Sequence, residues 1–197
     1  MAKRKQVGRR VEGWKAKKWY WVYVPEAFGR TEIGDTITND PANLVGRVMT
    51  ATLGEILQDY SKSHIKMRFK VANVAGDAAY TEFVGHEVTR DYLRSLVKRR
   101  ASRIDAVLPV MTKDGKRVRV TVTCLTISRA NMSQVHAIRQ AIAQYVTTRA
   151  AASDMESFVK DIMTGDVARD LFKITKTIYP IRRIEITKTR VERIAAV

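Results

Sequence analysis

The stretch that decides the fold is IDAVLPVMTKDGKRVRVTVTCLTI, residues 104–127. Its second half alternates strictly. Val118, Val120, Val122 and Cys124 fall on one side, and Arg119, Thr121 and Thr123 on the other, the period of a half-buried strand. Lys113-Asp114-Gly115-Lys116 sets Asp-Gly at the centre of a tight hairpin turn. A strand over 104–111 is therefore expected as the antiparallel partner of a strand over 118–127.

The same reasoning extends toward the N-terminus. Ile65, Met67, Phe69 and Val71 alternate with Lys66, Arg68 and Lys70, giving a second half-buried strand with a basic outer face. Gly76-Asp77 turns the chain into a partner over 79–85. Trp19, Trp21 and Tyr23 share one face of a first strand, and Tyr20, Val22 and Val24 the other. The alternation predicts that Trp19 and Trp21 anchor this strand in the core. Residues 34–43 read as a short strand and a turn-rich loop, and 44–51 as another strand.

Helical signals cluster later in the chain. Thr52 and Glu55 fit a capping box that opens a short helix with Leu53, Ile56 and Leu57 inward. Thr89 can cap a helix running to about Ser102. Ser133 opens a helix with Val135, Ile138, Ile142, Tyr145 and Val146 on one side. Ser153 and Glu156 form another capping box, ahead of the apolar face Met155, Phe158, Val159 and Ile162. Gly165 suits a helix stop. Asp166 then starts a helix with Val167, Leu171, Ile174 and Ile178 inward. Pro180 closes it before a last strand over 181–191. The pattern predicts an α+β fold with an antiparallel β core and packed helices concentrated in the C-terminal third. Residues 1–18 read as a basic tail that orders on RNA, and 19–197 as a single α+β globular domain.

Charge narrows the function. The chain of 197 residues carries 36 Lys+Arg against 20 Asp+Glu, a formal net charge of +16. That surplus points to a polyanion. Residues 1–21 hold eight cations and one carboxylate, and residues 94–149 hold twelve cations and two. Residues 22–93 are net acidic, with seven cations against ten carboxylates. Two concentrated blocks are an electrostatic footprint for phosphates, where a merely solubilising charge would be interspersed. The first block supplies Lys3, Arg4, Lys5, Arg9, Arg10, Lys15, Lys17 and Lys18, with Trp14 placed among them as a ring for unpaired bases. The second supplies Arg90, Arg94 and Lys98 along one helix edge, Arg99, Arg100 and Arg103 at its C-terminal end, and Lys113, Lys116, Arg117 and Arg119 at the hairpin. Cations at a helix end also complement the macrodipole, but four, Lys98, Arg99, Arg100 and Arg103, exceed what one end requires.

Other classes are poorly supported. The one cysteine forms no internal disulfide, and His64, His86 and His136 lack metal-ligand spacing. Cys124 and His136 could be imagined as nucleophile and base, but Cys124 continues a valine face and reads as a core residue. No cofactor loop is present, and no cofactor is expected. No uncharged apolar run approaches the ~20 residues of a membrane span, so a soluble, cytosolic protein without a membrane partner is expected. An RNA-processing or RNA-modifying enzyme would need a pocket of perturbed acids or a cofactor loop. An architectural nucleic-acid-binding protein would favour a recognition helix or a groove-reading arm.

The residues resemble a family. Lys18-Trp19-Tyr20-Trp21-Val22, Leu44-Val45-Gly46-Arg47-Val48 and the run from Thr81 through Phe83, Val84, Gly85, His86, Glu87 and Val88 to Thr89-Arg90-Asp91 carry the likeness. Val97-Lys98, Thr112-Lys113-Asp114-Gly115 and Ile178-Tyr179-Pro180 continue it. Together they resemble, in order over about residues 18–190, the archaeal and eukaryotic small-subunit ribosomal protein family S-one-e, S-three-A in eukaryotes. The chain looks like an archaeal-type member. The resemblance implies a barrel-like β core and a non-enzymatic role in the ribosome, supporting translation. It implies a place near the platform and the 3′ end of the small-subunit RNA. The implied partners are that RNA, neighbouring ribosomal proteins and, near the exit region, mRNA.

Overall fold

The computed structural model describes residues 13–14 and 17–192. Its strands are β1 (Lys18–Tyr23), β2 (Glu32–Thr38), β3 (Val48–Thr52), β4 (Ile65–Ala75), β5 (Ala78–Val88), β6 (Arg103–Met111), β7 (Arg117–Thr126) and β8 (Ile181–Glu192). Its helices are α1 (Leu53–Leu57), α2 (Arg90–Leu96), α3 (Met132–Ala152), α4 (Met155–Thr164) and α5 (Asp166–Lys176). The fold is α+β as the sequence predicts, with the three longest helices consecutive near the C-terminal end.

All eight strands join one sheet through β5. One edge of β5 pairs antiparallel with β4 from Val88 back to Ala78. The other edge is shared. β1 runs parallel to it at Ala78, Ala79 and Tyr80, and β8 runs antiparallel to it at Gly85, His86 and Glu87. β2 extends the sheet beyond β1, β3 beyond β4, and β7 then β6 beyond β8. The sheet stays open, ending on β2, β3 and β6. The implied barrel-like core is thus realised as a branched, mainly antiparallel sheet without closure. The reason is topological: β5 has only two edges, and dividing one of them between β1 and β8 sends the sheet in separate directions.

The hairpin that opened the sequence reading forms in register, with Val118 opposite Val110 and Cys124 opposite Ile104. Its inner residues join Met67 and Phe69 of β4 and Ile184 and Ile186 of β8 in the main core. Ile138, Ile142 and Val146 of α3, Phe158 and Val159 of α4, and Val167 and Leu171 of α5 close over it. A smaller cluster, Tyr20, Val22, Leu44, Val71 and Ala79, lies under β1.

Five residues expected to face inward are exposed instead. Trp19 is 58% and Trp21 48% exposed, while Tyr20 and Val22 are buried. Both faces of residues 19–24 are apolar, so alternation alone does not say which turns inward; the small cluster beneath β1 receives Tyr20 and Val22. Leu57 is exposed because α1 ends at once, with Gln58 left-handed. Ile174 and Ile178 face outward, and Thr175 takes the inner position, its hydroxyl donating to Leu171 O at 2.6 Å. The Thr52–Glu55 capping box forms as expected. The predicted Ser133 cap and Ser153–Glu156 box both shift: Asn131 with Gln134 opens α3, and Asp154 stands at the start of α4.

The β5–β8 junction is only three register pairs long and is reinforced locally. At Gly85 the backbones approach so closely that a Cβ would collide with Thr189 O. Next to it His86, 2% exposed, has Nδ1 2.6 Å from Thr189 Oγ1 and Nε2 3.0 Å from Ile186 O. Ile186 O can only accept, so Nε2 carries the proton and Nδ1 accepts from the threonine hydroxyl. Burial pushes the His86 imidazole down from 6.5 to about 4, against the raising influence of Ile186 O and Glu87.

Two outcomes follow from this junction. Gly85→Ala should destabilise the fold by about 3 kcal/mol, the upper range for overpacking, read as a lowered urea midpoint. His86 binds its proton more weakly folded than unfolded, so the unfolded chain takes up protons first as pH falls. Stability should hold above 6.5 and fall by ~3 kcal/mol as pH drops from 6.5 to about 4. Urea midpoints against pH measure it, and His86→Gln should remove this part of the slope.

Candidate nucleic-acid interface

The sheet has an inner face covered by α3–α5 and an outer face that carries charge. On the outer face, register brings cations from distant parts of the chain side by side. Arg68 lies opposite Gly85, Gly85 opposite Arg190, and Arg190 opposite Arg119. In the adjacent row Lys66 faces Glu87, Glu87 faces Lys188, and Lys188 faces Thr121. Arg117 stands opposite Glu192 at the far end. Two carboxylates organise the group. Glu87 meets Arg68 at 2.7 Å and Lys188 at 3.4 Å, and Glu192 meets Arg117 at 3.1 Å and Arg119 at 2.6 Å. Such partly exposed pairs contribute little stability, ~1 kcal/mol or less each. They do orient guanidinium groups that keep spare donors.

Helix α2 borders this face. Arg90 and Arg94 line a hollow of about 610 Å³ with Arg103 and Lys188, walled by Leu93 and Val97. The same two arginines line an adjoining hollow of about 570 Å³ with Lys66, Arg68 and Glu87. Tyr92 fixes the helix to the sheet, its hydroxyl donating to Glu185 Oε1 at 3.3 Å while Arg183 lies over its ring. Burial and then Glu185 push the Tyr92 phenol up, so it stays protonated as a donor.

The predicted helix to Ser102 is corrected: α2 ends at Leu96, and Val97 is extended. Lys98, Arg99 and Arg100 therefore do not complement a helix end. They stand exposed in the connection to β6, where Arg100 has φ of 63°. Buried Thr126 braces that connection, its Oγ1 accepting from Ser102 N–H at 2.8 Å. Arg103 opens β6 and pairs with Asp105 at 3.1 Å.

The hairpin separates into two parts. Arg117 and Arg119 join the outer face. The tip instead docks on the α3–α4 junction. Lys113 N–H donates to Ser153 O at 3.1 Å, and Asp114 Oδ2 accepts from Met155 N–H at 2.8 Å, capping α4 from outside the helix. Lys113 Nζ lies 3.8 Å from Asp154, and Lys116 borders a hollow with Phe28 and Met155. Of the tail, Trp14 is exposed with Lys17 Nζ 5.1 Å from its ring centroid, and Lys18 begins β1. Lys3, Arg4, Lys5, Arg9, Arg10 and Lys15 lie outside the described residues.

The structure thus gathers Arg90, Arg94, Arg103, Arg117 and Arg119 on or beside one face, and places Lys113 and Lys116 elsewhere. It adds Lys66, Arg68, Lys188 and Arg190, which the sequence reading left out of the site. Their alternation in β4 and β8 was visible, but the pairing that makes them neighbours was not. The Cys124–His136 idea fails on burial. Cys124 is fully buried with its thiol pushed up to about 12 by desolvation, and His136 is exposed. Among the described residues no cluster of His, Cys, Asp and Glu could hold a metal ion, and no helix is long and apolar enough to cross a membrane.

A family profile described as the Ribosomal S3Ae family matches residues 5–194. Small ribosomal subunit protein eS1 of Methanoculleus marisnigri is 74% identical over all of both chains. The eS1 protein of Methanosphaerula palustris is 62% identical, over 98% of this chain and 97% of its own. That of Desulfurococcus amylolyticus is 41% identical, over 90% of this chain and 83% of its own.

The docked hairpin yields a direct check. Asp114→Ala should cost about 1 kcal/mol through the lost cap, seen as a lower Tm. Asp114→Asn, which keeps an acceptor oxygen, should recover most of it.

Proposed function

We propose, on the premise that this chain belongs to the Ribosomal S3Ae family, that it grips small-subunit ribosomal RNA through the outer face of its sheet. Family membership makes it a structural constituent of the small ribosomal subunit, working in translation in the cytoplasm beside ribosomal RNA and other ribosomal proteins, and not an enzyme. The finer reading concerns how it holds the RNA. The observation that carries it is the convergence of Lys66, Arg68, Arg90, Arg94 and Lys188 around Glu87, with Asp91 at the rim and Arg190 in the adjacent row. Each cation set against a phosphate releases condensed counterions, so affinity comes with a steep salt dependence.

In this reading Lys98, Arg99, Arg100 and Arg103 extend the grip along the connection to β6. The basic tail of residues 1–18 orders on RNA and threads between its segments. Arg117 and Arg119 serve as phosphate contacts at the end of the cation row, and Lys113 and Lys116 reach RNA from the separate docked tip. Residues 19–197 act as one globular body that keeps these patches in register. The site lies near the platform and the 3′ end of the small-subunit RNA, with mRNA passing close by.

Filter binding to a small-subunit RNA fragment across a salt series tests it. Deleting residues 1–18 should lower affinity and flatten the plot of log K against log salt. Arg90→Ala/Arg94→Ala/Lys188→Ala should flatten it by about one for each lost phosphate contact, with the fold intact by circular dichroism. An unchanged slope in the truncated chain removes the tail from the grip, and an unchanged slope in the triple variant removes the sheet face.

A further inference from the structure

The outer face changes character along β5. Near Gly85 it is basic; near Ala78 it is aromatic and acidic. There Trp19, Trp21 and Tyr23 of β1 turn outward, and Tyr80 of β5 stands beside Tyr23 with ring centroids 6.2 Å apart. Trp19, Trp21 and Tyr80 are 58%, 48% and 45% exposed, a contiguous aromatic strip with nothing described covering it. Carboxylates flank it. Asp35 lies directly opposite Trp21 across the β1–β2 ladder, Glu32 opposite Tyr23, and Glu82 follows Tyr80 on the same side of β5. Among the described residues none of these three has an ion-pair partner within 4 Å. Lys70, opposite Glu82, Arg47, which donates to Ile37 O across from Trp19, and Lys17 and Lys18, at the entry to β1, are nearby cations.

We infer that this strip is a docking surface for a Lys/Arg-bearing segment of a neighbouring protein. Exposed Trp and Tyr in a cluster are the residues that dominate protein interfaces. Their faces attract guanidinium and ammonium groups, and Glu32, Asp35 and Glu82 supply the complementary charge. Stacking of RNA bases on the same rings would bring phosphates against those carboxylates. The basic half of the sheet, by contrast, already offers the phosphates a matched surface. The inference rests on the ribosomal reading only for the presence of protein neighbours.

All three tryptophans of the chain lie at this end of the molecule, so fluorescence reads the strip directly. In the full chain, Trp14→Phe leaves Trp19 and Trp21 as reporters. A synthetic Arg-Gly repeat peptide should shift their emission saturably, and oligouridine should not. In that background Trp21→Ala and Asp35→Asn should each weaken the peptide about tenfold, while Asp35→Asn should not lower affinity for the small-subunit RNA fragment. Emission that responds to oligouridine and not to the peptide overturns the inference, as does peptide binding indifferent to Asp35→Asn, or no peptide response at all. Failure of the unaltered chain to co-sediment with small subunits would instead strike the ribosomal reading and leave the titration standing.

Discussion

Three strands compete for β5, and the meeting of β5 with β8 is the tightest constraint in the molecule. β4 occupies one edge from end to end, while β1 and β8 divide the other, leaving β8 three register pairs. Those pairs connect the β6–β7–β8 half, with α3–α5 packed beneath it, to the β1–β4 half. Backbone approach at Gly85 and the two hydrogen bonds of buried His86 make so short a seam rigid. Both devices work by exclusion. Glycine leaves no side chain between the backbones, and a neutral imidazole satisfies donor and acceptor without burying a charge.

The seam also sets the electrostatics. It carries Lys66 and Arg68 from β4 to within one strand of Lys188 and Arg190 from β8, although more than a hundred residues separate them in sequence. Glu87, at the centre, partly neutralises and orients the group. A surface of this kind is costly to a chain that only needs solubility, since like charges at strand spacing repel. It suits a chain that meets a phosphate backbone, where the repulsion is relieved on binding. At the other end of β5, the same side of the sheet carries rings and carboxylates. One face thus presents two different chemistries.

Much of the fold was legible because local patterns dictated it. The 104–127 hairpin, the alternation of β4, the Thr52 capping box and the Gly165 helix stop were all readable from short windows. What failed were matters of facing and length. Residues 19–24 are apolar on both sides, so only the tertiary packing of Tyr20 and Val22 sends Trp19 and Trp21 outward. Helix α2 stops at Leu96 because the chain must reach β6, and nothing in its propensity announces that. The site was half legible. Charge runs located Arg90, Arg94 and Arg103, whereas Lys66, Arg68, Lys188 and Arg190 become a site only through pairing across long loops. Lys113 and Lys116 show the reverse: the turn that carries them is set apart from the sheet face because Asp114 caps α4.

Photo-crosslinking within intact small subunits, followed by mapping of RNA-bearing peptides, tests the central claim most directly. The account predicts RNA adducts on peptides carrying Lys66 and Arg68, Arg90 and Arg94, and Lys188 and Arg190, with residues 19–23 crosslinked to protein. RNA adducts concentrated on residues 19–23, with none on those three segments, would contradict it.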